Sequence, residues 1–529
     1  MEREQIVTNT FRSLPRDVIL VAAISAAAAV PRLLFLGKES LWMDEGATVY
    51  FAQDCWTFVR PDMPLYYFLL HFWLFFGKSE FMLRLPSAVL SVATVPALYS
   101  LGKRLFCSRV GIVAALLFAV HAVDIQYAQE ARSYSLVIFL VTLSSLYFLR
   151  SIERPSLGNL VGYTLISVLS VYAHLFAALV LATHWVFLFF LRPDDAPWPR
   201  FVASGIATSL LSAPAMLLAL AASGYWAQGI HKTSVKRLID VFYALAGSLP
   251  RDSRITGKWL LLFYSIAVVA AFITFGRAWF RSERKTEASY GFLVSGLCIP
   301  VGLALTASFF RPLAEPRYFL VLLPVFVLLA SAGIFQLRSP WVFLGVQVVF
   351  LGFGLLEDFA YHLYFHKPQD YGGAVRYVLS NARPGDAIVM SSADRPAFEY
   401  YSERLGGTPE QSALFIPPWD PQDWRCDVRV APSAPRFDPG WLDSLCSRHQ
   451  RVWLIPWRRH RRHKELEEVW GSLEQSLAHR YKSIRSYKFQ RLEVSLYSPV
   501  PAEKLAFSPA AGFTYWRLAQ QSSGCSYSK

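Results

Sequence analysis

Two short stretches of this sequence hold the side chains best suited to chemistry. The first, Leu41-Trp42-Met43-Asp44-Glu45-Gly46, puts two adjacent carboxylates just after an apolar run. Acidic residues there are costly unless solvated or used. In a cleft, one can stay ionised as a general base while its neighbour binds substrate or a cation. The plainer reading is a solvated loop start beside an interfacial Trp42. The second stretch runs from His121 through Asp124, Gln126, Glu130 and Arg132 to Tyr134. Continued as a helix, it carries Gln126, Glu130 and Tyr134 on one face at i, i+4 spacing. Arg132 falls where the next apolar run begins, and a guanidinium at a membrane surface suits a phosphate bidentately. A capped helix start with a surface ion pair is the alternative.

The elements that must position these groups are membrane helices. Of 529 residues, 54% are hydrophobic and only 17% charged, whereas a soluble domain carries about a quarter charged residues. Disordered, collagen-like, coiled-coil and small disulfide-scaffold classes fail on the same figures. Apolar runs near the roughly 20 residues that span a bilayer fall at 18–36, 84–102, 109–123, 133–150, 157–172, 175–191, 200–222, 257–276, 289–309, 317–337 and 340–356. Eleven transmembrane helices are expected, the first a retained span rather than a cleaved leader. Arg3, Arg12 and Arg16, then Lys103, Arg104 and Arg109, then Arg277, Arg281, Arg284 and Lys285 all fall on one side. That side is cytoplasmic by the positive-inside bias, and an odd count puts the C-terminus outside. The net charge of +14 is scattered among these loops, with no nucleic-acid-binding pattern. One outer loop, 223–256, breaks the bias with Lys232, Lys236, Arg237, Arg251 and Arg254.

Four segments result: a cytoplasmic N-terminus (1–17), a transmembrane domain (18–357), an extracytoplasmic α/β domain (367–517) and a disordered tail (518–529). In the third, strands are expected at Ala387–Met390, Arg451–Ile455 and Leu492–Tyr497, and helices at 370–381 and 464–478. Cys426 and Cys446 would close a modest disulfide loop in an oxidising compartment, or stand as two free thiols. The densest charge run, Trp457 to Lys464, suits anionic headgroups or an anionic glycan, or is a solvated helix approach.

Taken together, "LWMDEG" after the first span and "YAQEARSYSL" before the fourth resemble bacterial polytopic C-type (GT-C) glycosyltransferases. Within these the chain resembles the family of dolichyl-phosphate-mannose protein mannosyltransferases and aminoarabinose transferases. Further matches follow in order: Pro64-Leu65-Tyr66-Tyr67 with Leu70-His71-Phe72-Trp73, Tyr172-Ala173-His174, Pro316-Arg317-Tyr318-Phe319, and Lys367 to Gly373 through Pro384-Gly385-Asp386. The resemblance covers most of 18–400. It departs at Asp62-Met63-Pro64, where relatives often show a histidine.

The resemblance implies a membrane enzyme that takes a sugar, hexosyl or pentosyl, from a polyprenyl-phosphate carrier. It places the sugar on a glycan, lipid or protein acceptor at the outer face of the inner (cytoplasmic) membrane, with inversion. The C-terminal domain would then be periplasmic in a Gram-negative cell. Asp44 matches the family's first-loop aspartate and is the expected base, with Glu45 orienting the acceptor or the backbone around it. Arg132, Arg317 and Arg311 are expected on the donor phosphate. Asp124, Glu130, Tyr134, His174, Tyr66 and Tyr318 are expected around the sugar, and His71, His121 and His184 are expected to be structural. No cofactor is required, although a divalent cation is compatible with Glu130 or Asp124 and no metal ligand set is assigned. The competing readings are a lipid or glycan flippase, which would favour ionisable residues at midplane depth, and a non-catalytic envelope-assembly scaffold. Among enzymes, the rival is a glycan polymerase or an oligosaccharyltransferase, but the "WWDYG" signature of the latter is absent.

Overall fold

The structure, a computed structural model, describes residues 16–53, 62–190, 198–227, 234–249, 254–310, 315–365, 367–391, 393–407, 412–415, 438–456, 464–481, 483–490 and 492–499. It divides into two units, one of residues 1–38 and 51–365, the other of residues 39–50 and 366–529.

In the first unit each of the eleven apolar runs is helical. The helices are α1 (Arg16–Leu33), α4 (Glu80–Leu105), α5 (Ser108–Ala119) with α6 (Ala122–Ala128), α7 (Tyr134–Glu153), α8 (Leu157–Ala173), α9 (Ala177–Phe190), α10 (Trp198–Ala227), α12 (Arg254–Arg281), α13 (Arg284–Ser308), a 3-10 turn Pro316–Leu322 running into α14 (Leu323–Ile334), and α15 (Pro340–Tyr364). Two shorter helices join them, α3 (Pro64–Trp73) and α11 (Val235–Leu245). Among the described residues, seven helices are long and apolar enough to cross a membrane, or eight if the α5–α6 pair, bent by 62°, is one span. The 3-10 turn and α14 have 89% of their apolar window buried, against 17% for α15 and 22% for α10. The former therefore threads the middle of the bundle, and the latter two present their sides to lipid.

Local chemistry explains the breaks. Ser79, Ser156, Ser234 and Ser339 cap α4, α8, α11 and α15 by accepting a backbone N–H in the first turn. His121 caps α6: its Nδ1 accepts from Asp124 N–H at 3.2 Å, and its Nε2 then donates to the Leu245 carbonyl at 3.0 Å. Helix α6 ends at Ala128 and α7 begins only at Tyr134. The expected single helical face through Gln126, Glu130 and Tyr134 is thus corrected to a turn that carries Glu130 and Arg132 between two helices. Helix α15 runs to Tyr364, past the boundary expected at 357.

The second unit is a five-stranded sheet in the order β2-β1-β3-β5-β4, from β1 (Asp386–Met390), β2 (Ser412–Phe415), β3 (Val452–Ile455), β4 (Ser483–Phe489) and β5 (Leu492–Ser498). β1 pairs in parallel with β2 and β3, while β5 runs antiparallel to β3 and β4. Its helices are α16 (Tyr371–Asn381), α17 (Arg395–Arg404), α18 (Pro439–Arg448) and α19 (Lys464–Arg480). Leu442 and Leu445 of α18 and Trp470, Leu473 and Leu477 of α19 pack on Ala387, Val389, Val452 and Leu454 of one sheet face. On the other face Tyr377 of α16 meets Trp453, ring centroids 6.0 Å apart. Gly385, at φ +88, makes the turn into β1. Asp386 then ties the sheet together, accepting from Trp453 Nε1 at 2.9 Å and Arg383 N–H at 2.9 Å and pairing with Arg451 at 3.3 Å. Residues 39–50, which include most of helix α2 (Met43–Ala52), also belong to this unit.

Candidate active site

In the membrane unit, Arg132 and Arg317 lie within electrostatic reach of His174, which sits in the break between α8 and α9. His174 is held down to about 3 by desolvation first, then by these two guanidinium groups. Its ring is therefore neutral at pH 7. Its Nδ1 accepts the Phe176 N–H at 3.3 Å, which places the ring proton on Nε2 as a donor. Aromatic rings wall this corner. The His174 ring lies 6.0 Å from that of Tyr134 and 5.3 Å from that of Tyr318, and Tyr127 lies 4.7 Å from Tyr134. The Arg317 guanidinium sits 5.6 Å from the Tyr318 ring centroid, a cation–π distance. Glu130, buried, lies within electrostatic reach of Tyr127, as do Arg317 and Glu315. A phosphate, two cations, a neutral imidazole donor and a ring for a sugar face are mutually compatible chemistry here.

The backbone around Arg132 is fixed from several sides. Its N–H donates to the Glu130 carbonyl at 2.8 Å, and its carbonyl accepts from Ser87 Oγ at 3.1 Å. Ser87 Oγ also meets Tyr66 Oη at 2.8 Å, so Tyr66, buried, braces Arg132 through the serine. On the far side of the turn Gln129 Nε2 donates to the carbonyls of Pro31, Arg32 and Leu34 at 2.9, 3.3 and 2.8 Å. Its Oε1 accepts from Tyr361 at 3.0 Å. The 3-10 turn that carries Arg317 packs on α11, where Arg237 lies 3.7 Å from Glu315.

Asp124 takes a different part from the expected one. It is fully buried and paired with Arg32 at 2.7 Å, and Ser91 donates to the same oxygen at 2.5 Å. Arg32 spends its other N–H groups on Ser91 and on the carbonyls of Ala28, Phe118 and Ala119. The sugar-binding expectation for Asp124 therefore gives way to a structural ion pair. Removing one partner from such a pair costs about 3–5 kcal/mol. Arg32→Met should accordingly lower thermal stability in detergent sharply, and Arg32→Met/Asp124→Leu should recover much of the loss. Equal losses in the single and double variants would count against the ion pair.

The first-loop acids lie in the other unit. Asp44 and Glu45 occupy the first turn of α2, where the peptide dipoles favour carboxylates. Glu45 is fully buried and its Oε2 accepts from Trp42 N–H at 3.4 Å, half of a capping box. Asp44 is half-buried, and its carbonyl accepts from Thr48 Oγ1 at 2.8 Å.

Three further histidines make packing and hydrogen-bond contacts within the bundle. His184 stacks on Phe148 at 4.5 Å and bonds Ser145 and Tyr163. His71 Nδ1 meets the Ala52 carbonyl at 2.9 Å, and His121 caps α6. Asp62 accepts from Tyr67 at 2.5 Å. Arg311, Lys232, Arg251, Cys426 and residues 457–463 of the basic run lie outside the described residues, as does the tail. Cys446 packs against the α18–α19 core. Among the described residues no group of three or more His, Cys, Asp or Glu side chains is placed to hold a metal ion. Arg32 and Gln129 do not stand out as candidates from sequence. For Arg32 a signal existed, a charge inside an apolar run.

A family model for dolichyl-phosphate-mannose-protein mannosyltransferases matches residues 60–226. The apo crystal structure of ArnT from Cupriavidus metallidurans superposes with a TM-score of 0.60 at 13% identity, covering 93% of this chain and 99% of that one. This is a GT-C fold. The same ArnT bound to undecaprenyl phosphate matches at TM-score 0.59 and 13% identity, with the same coverage of 93% and 99%. The oligosaccharyltransferase of Archaeoglobus fulgidus tethered with an acceptor peptide shares the GT-C fold at TM-score 0.52 and 11% identity, covering 90% of this chain and 74% of that one. No curated protein sequence matches the chain. The ArnT match extends over nearly the whole chain.

Proposed function

We propose that this chain is an integral membrane glycosyltransferase that moves a sugar from a polyprenyl-phosphate carrier to an acceptor at the outer membrane face, with inversion. The observation that carries the reading is the pair of guanidinium groups, Arg132 and Arg317, set against neutral His174 in an aromatic corner. Support comes from the GT-C fold, and from the undecaprenyl phosphate bound by the ArnT structure of that fold. A polyprenyl-phosphate sugar is a diester with one negative charge, and its leaving group gains a second as the glycosidic bond breaks. Fixed cations therefore stabilise the transition state more than the bound donor. Asp44 is the base that takes the acceptor proton as the acceptor oxygen attacks the anomeric carbon. Glu45 holds the turn that presents it. Glu130, Tyr134 and Tyr318 hold sugar hydroxyls and a sugar face, and His174 donates from Nε2 to a phosphate or sugar oxygen.

The test uses purified protein and a panel of radiolabelled polyprenyl-phosphate sugars, with transfer to a membrane extract as readout. Turnover of one donor supports the reading and names the sugar. No turnover and no donor binding across the panel would favour the flippase or scaffold readings. A second test follows from the neutral imidazole. His174→Asn should lower turnover by about tenfold or more at every pH, leaving the shape of the profile between about pH 5 and 8 unchanged. A limb that vanishes in the variant would show instead that His174 titrates there.

A further inference from the structure

The turn that carries Asp44 is held by the C-terminal unit. The Leu41 N–H donates to Tyr401 Oη at 2.7 Å, and the Met43 N–H donates to Gln369 Oε1 at 3.2 Å. Ser40 Oγ donates to the Gln369 carbonyl at 3.4 Å. Leu41 is fully buried, so its N–H needs a protein partner. Gly46 lies on the backbone of α17. A Cβ added there would come within 2.7–2.8 Å of the Cβ, Cα and N of Ala397, so this face of α2 accepts a hydrogen and nothing larger. Within the turn, Gly46 N–H donates to the Trp42 carbonyl at 2.9 Å and Trp42 N–H to Glu45 at 3.4 Å. The turn is thus internally braced, and its anchors on Tyr401, Gln369 and Ala397 bracket Asp44 in sequence at positions 41, 43 and 46.

We infer that Tyr401 and Gln369 are positioning residues for Asp44, and that holding this carboxylate in register is a catalytic role of the C-terminal unit. The inference rests on the reading of Asp44 as the base. A general base must lie within about 3 Å of the proton it takes, and a misplacement of about 1 Å can cost about a hundredfold. Hydrogen bonds to the backbone at positions 41 and 43 before the residue, with Gly46 packed on Ala397 after it, limit that misplacement. The anchors hold the base rather than the donor phosphate, so their loss acts on the chemical step.

The experiment uses full-length purified protein and the donor that the panel identifies. Tyr401→Phe and Gln369→Met should each lower kcat by about tenfold while the donor KM stays within about twofold of wild type. Gln369→Glu keeps an acceptor for the Met43 N–H and should retain most of the turnover lost in Gln369→Met. Tyr400→Phe is the control on the same helix, since the Tyr400 hydroxyl accepts from Arg404 instead, and it should leave both constants unchanged. Wild-type kcat in Tyr401→Phe and Gln369→Met, with Asp44→Asn inactive, would overturn the positioning role and leave the reading of Asp44 standing. A parallel loss of kcat, donor affinity and melting temperature, with no rescue by Gln369→Glu, would also overturn it, in favour of a plain folding role. Turnover persisting in Asp44→Asn would instead remove the base on which the inference rests.

Discussion

Asp44→Asn should lower kcat by about a thousandfold, within the range for loss of a positioned general base, which is about 4 kcal/mol of barrier. The donor KM should change by less than about twofold, because on this reading the phosphate is held by Arg132 and Arg317 and not by the first loop. Asparagine is nearly isosteric and forfeits only the roughly 0.3–1 kcal/mol that a carboxylate gains in a helix first turn, so the melting temperature should stay within a few degrees. Asp44→Glu keeps the carboxylate but moves it by about one methylene, and should recover only part of the rate, by the same sensitivity to placement. A variant that lost donor binding together with rate would place Asp44 on the donor and not on the acceptor. Unchanged turnover would move the base to another acid, with Glu130 next to be tested.

The second large effect is on the cations. Arg132→Gln and Arg317→Gln should each reduce kcat/KM by roughly a hundredfold or more, as removal of one preorganised donor does. Most of the loss should fall on kcat, because the phosphate gains charge as the bond breaks. The double variant should lose less than the product of the two single losses, since the groups act on one phosphate. Lysine replacements keep the charge without the planar fork and should fall between, at roughly tenfold below wild type. Measuring the rate and the donor affinity of all five variants distinguishes this from a cation site that only recruits lipid. In that case KM rises, kcat holds, and the loss shrinks at high donor concentration.

The membrane architecture is legible in the sequence because hydrophobic burial is local information. Every expected apolar run is a helix, and the strands at 386–390, 452–455 and 492–498 fall where alternation and turn residues put them. The site is legible only in part, and the misses share a cause. Periodicity carried a helical face through Gln126, Glu130 and Tyr134, but Gln129 reaches back to three carbonyls near the end of α1 and the chain turns there. Asp124 reads as an exposed ligand because its partner, Arg32, lies 92 positions earlier. The Asp44 turn reads as an ordinary first loop because Gln369 and Tyr401, which hold it, lie 326 and 360 positions away from their partners. Strands β2 and β4 went unread as short or charged edge strands, where pairing supplies what the pattern lacks. Arg132, His174 and Arg317 come forward from sequence only once the family resemblance joins their separate segments. That His174 lies within electrostatic reach of both arginines is a product of the fold.

The stereochemistry of transfer tests the central claim most directly. The donor found by the panel has a known configuration at its anomeric carbon, and the configuration in the isolated product is read from the anomeric proton coupling in an NMR spectrum. On the proposed reading Asp44 activates the acceptor for a single displacement, which inverts that centre, and inversion is the expected result. Retention would require a glycosyl-enzyme intermediate on a nucleophilic side chain, and would contradict the assignment of Asp44 as a base acting on the acceptor.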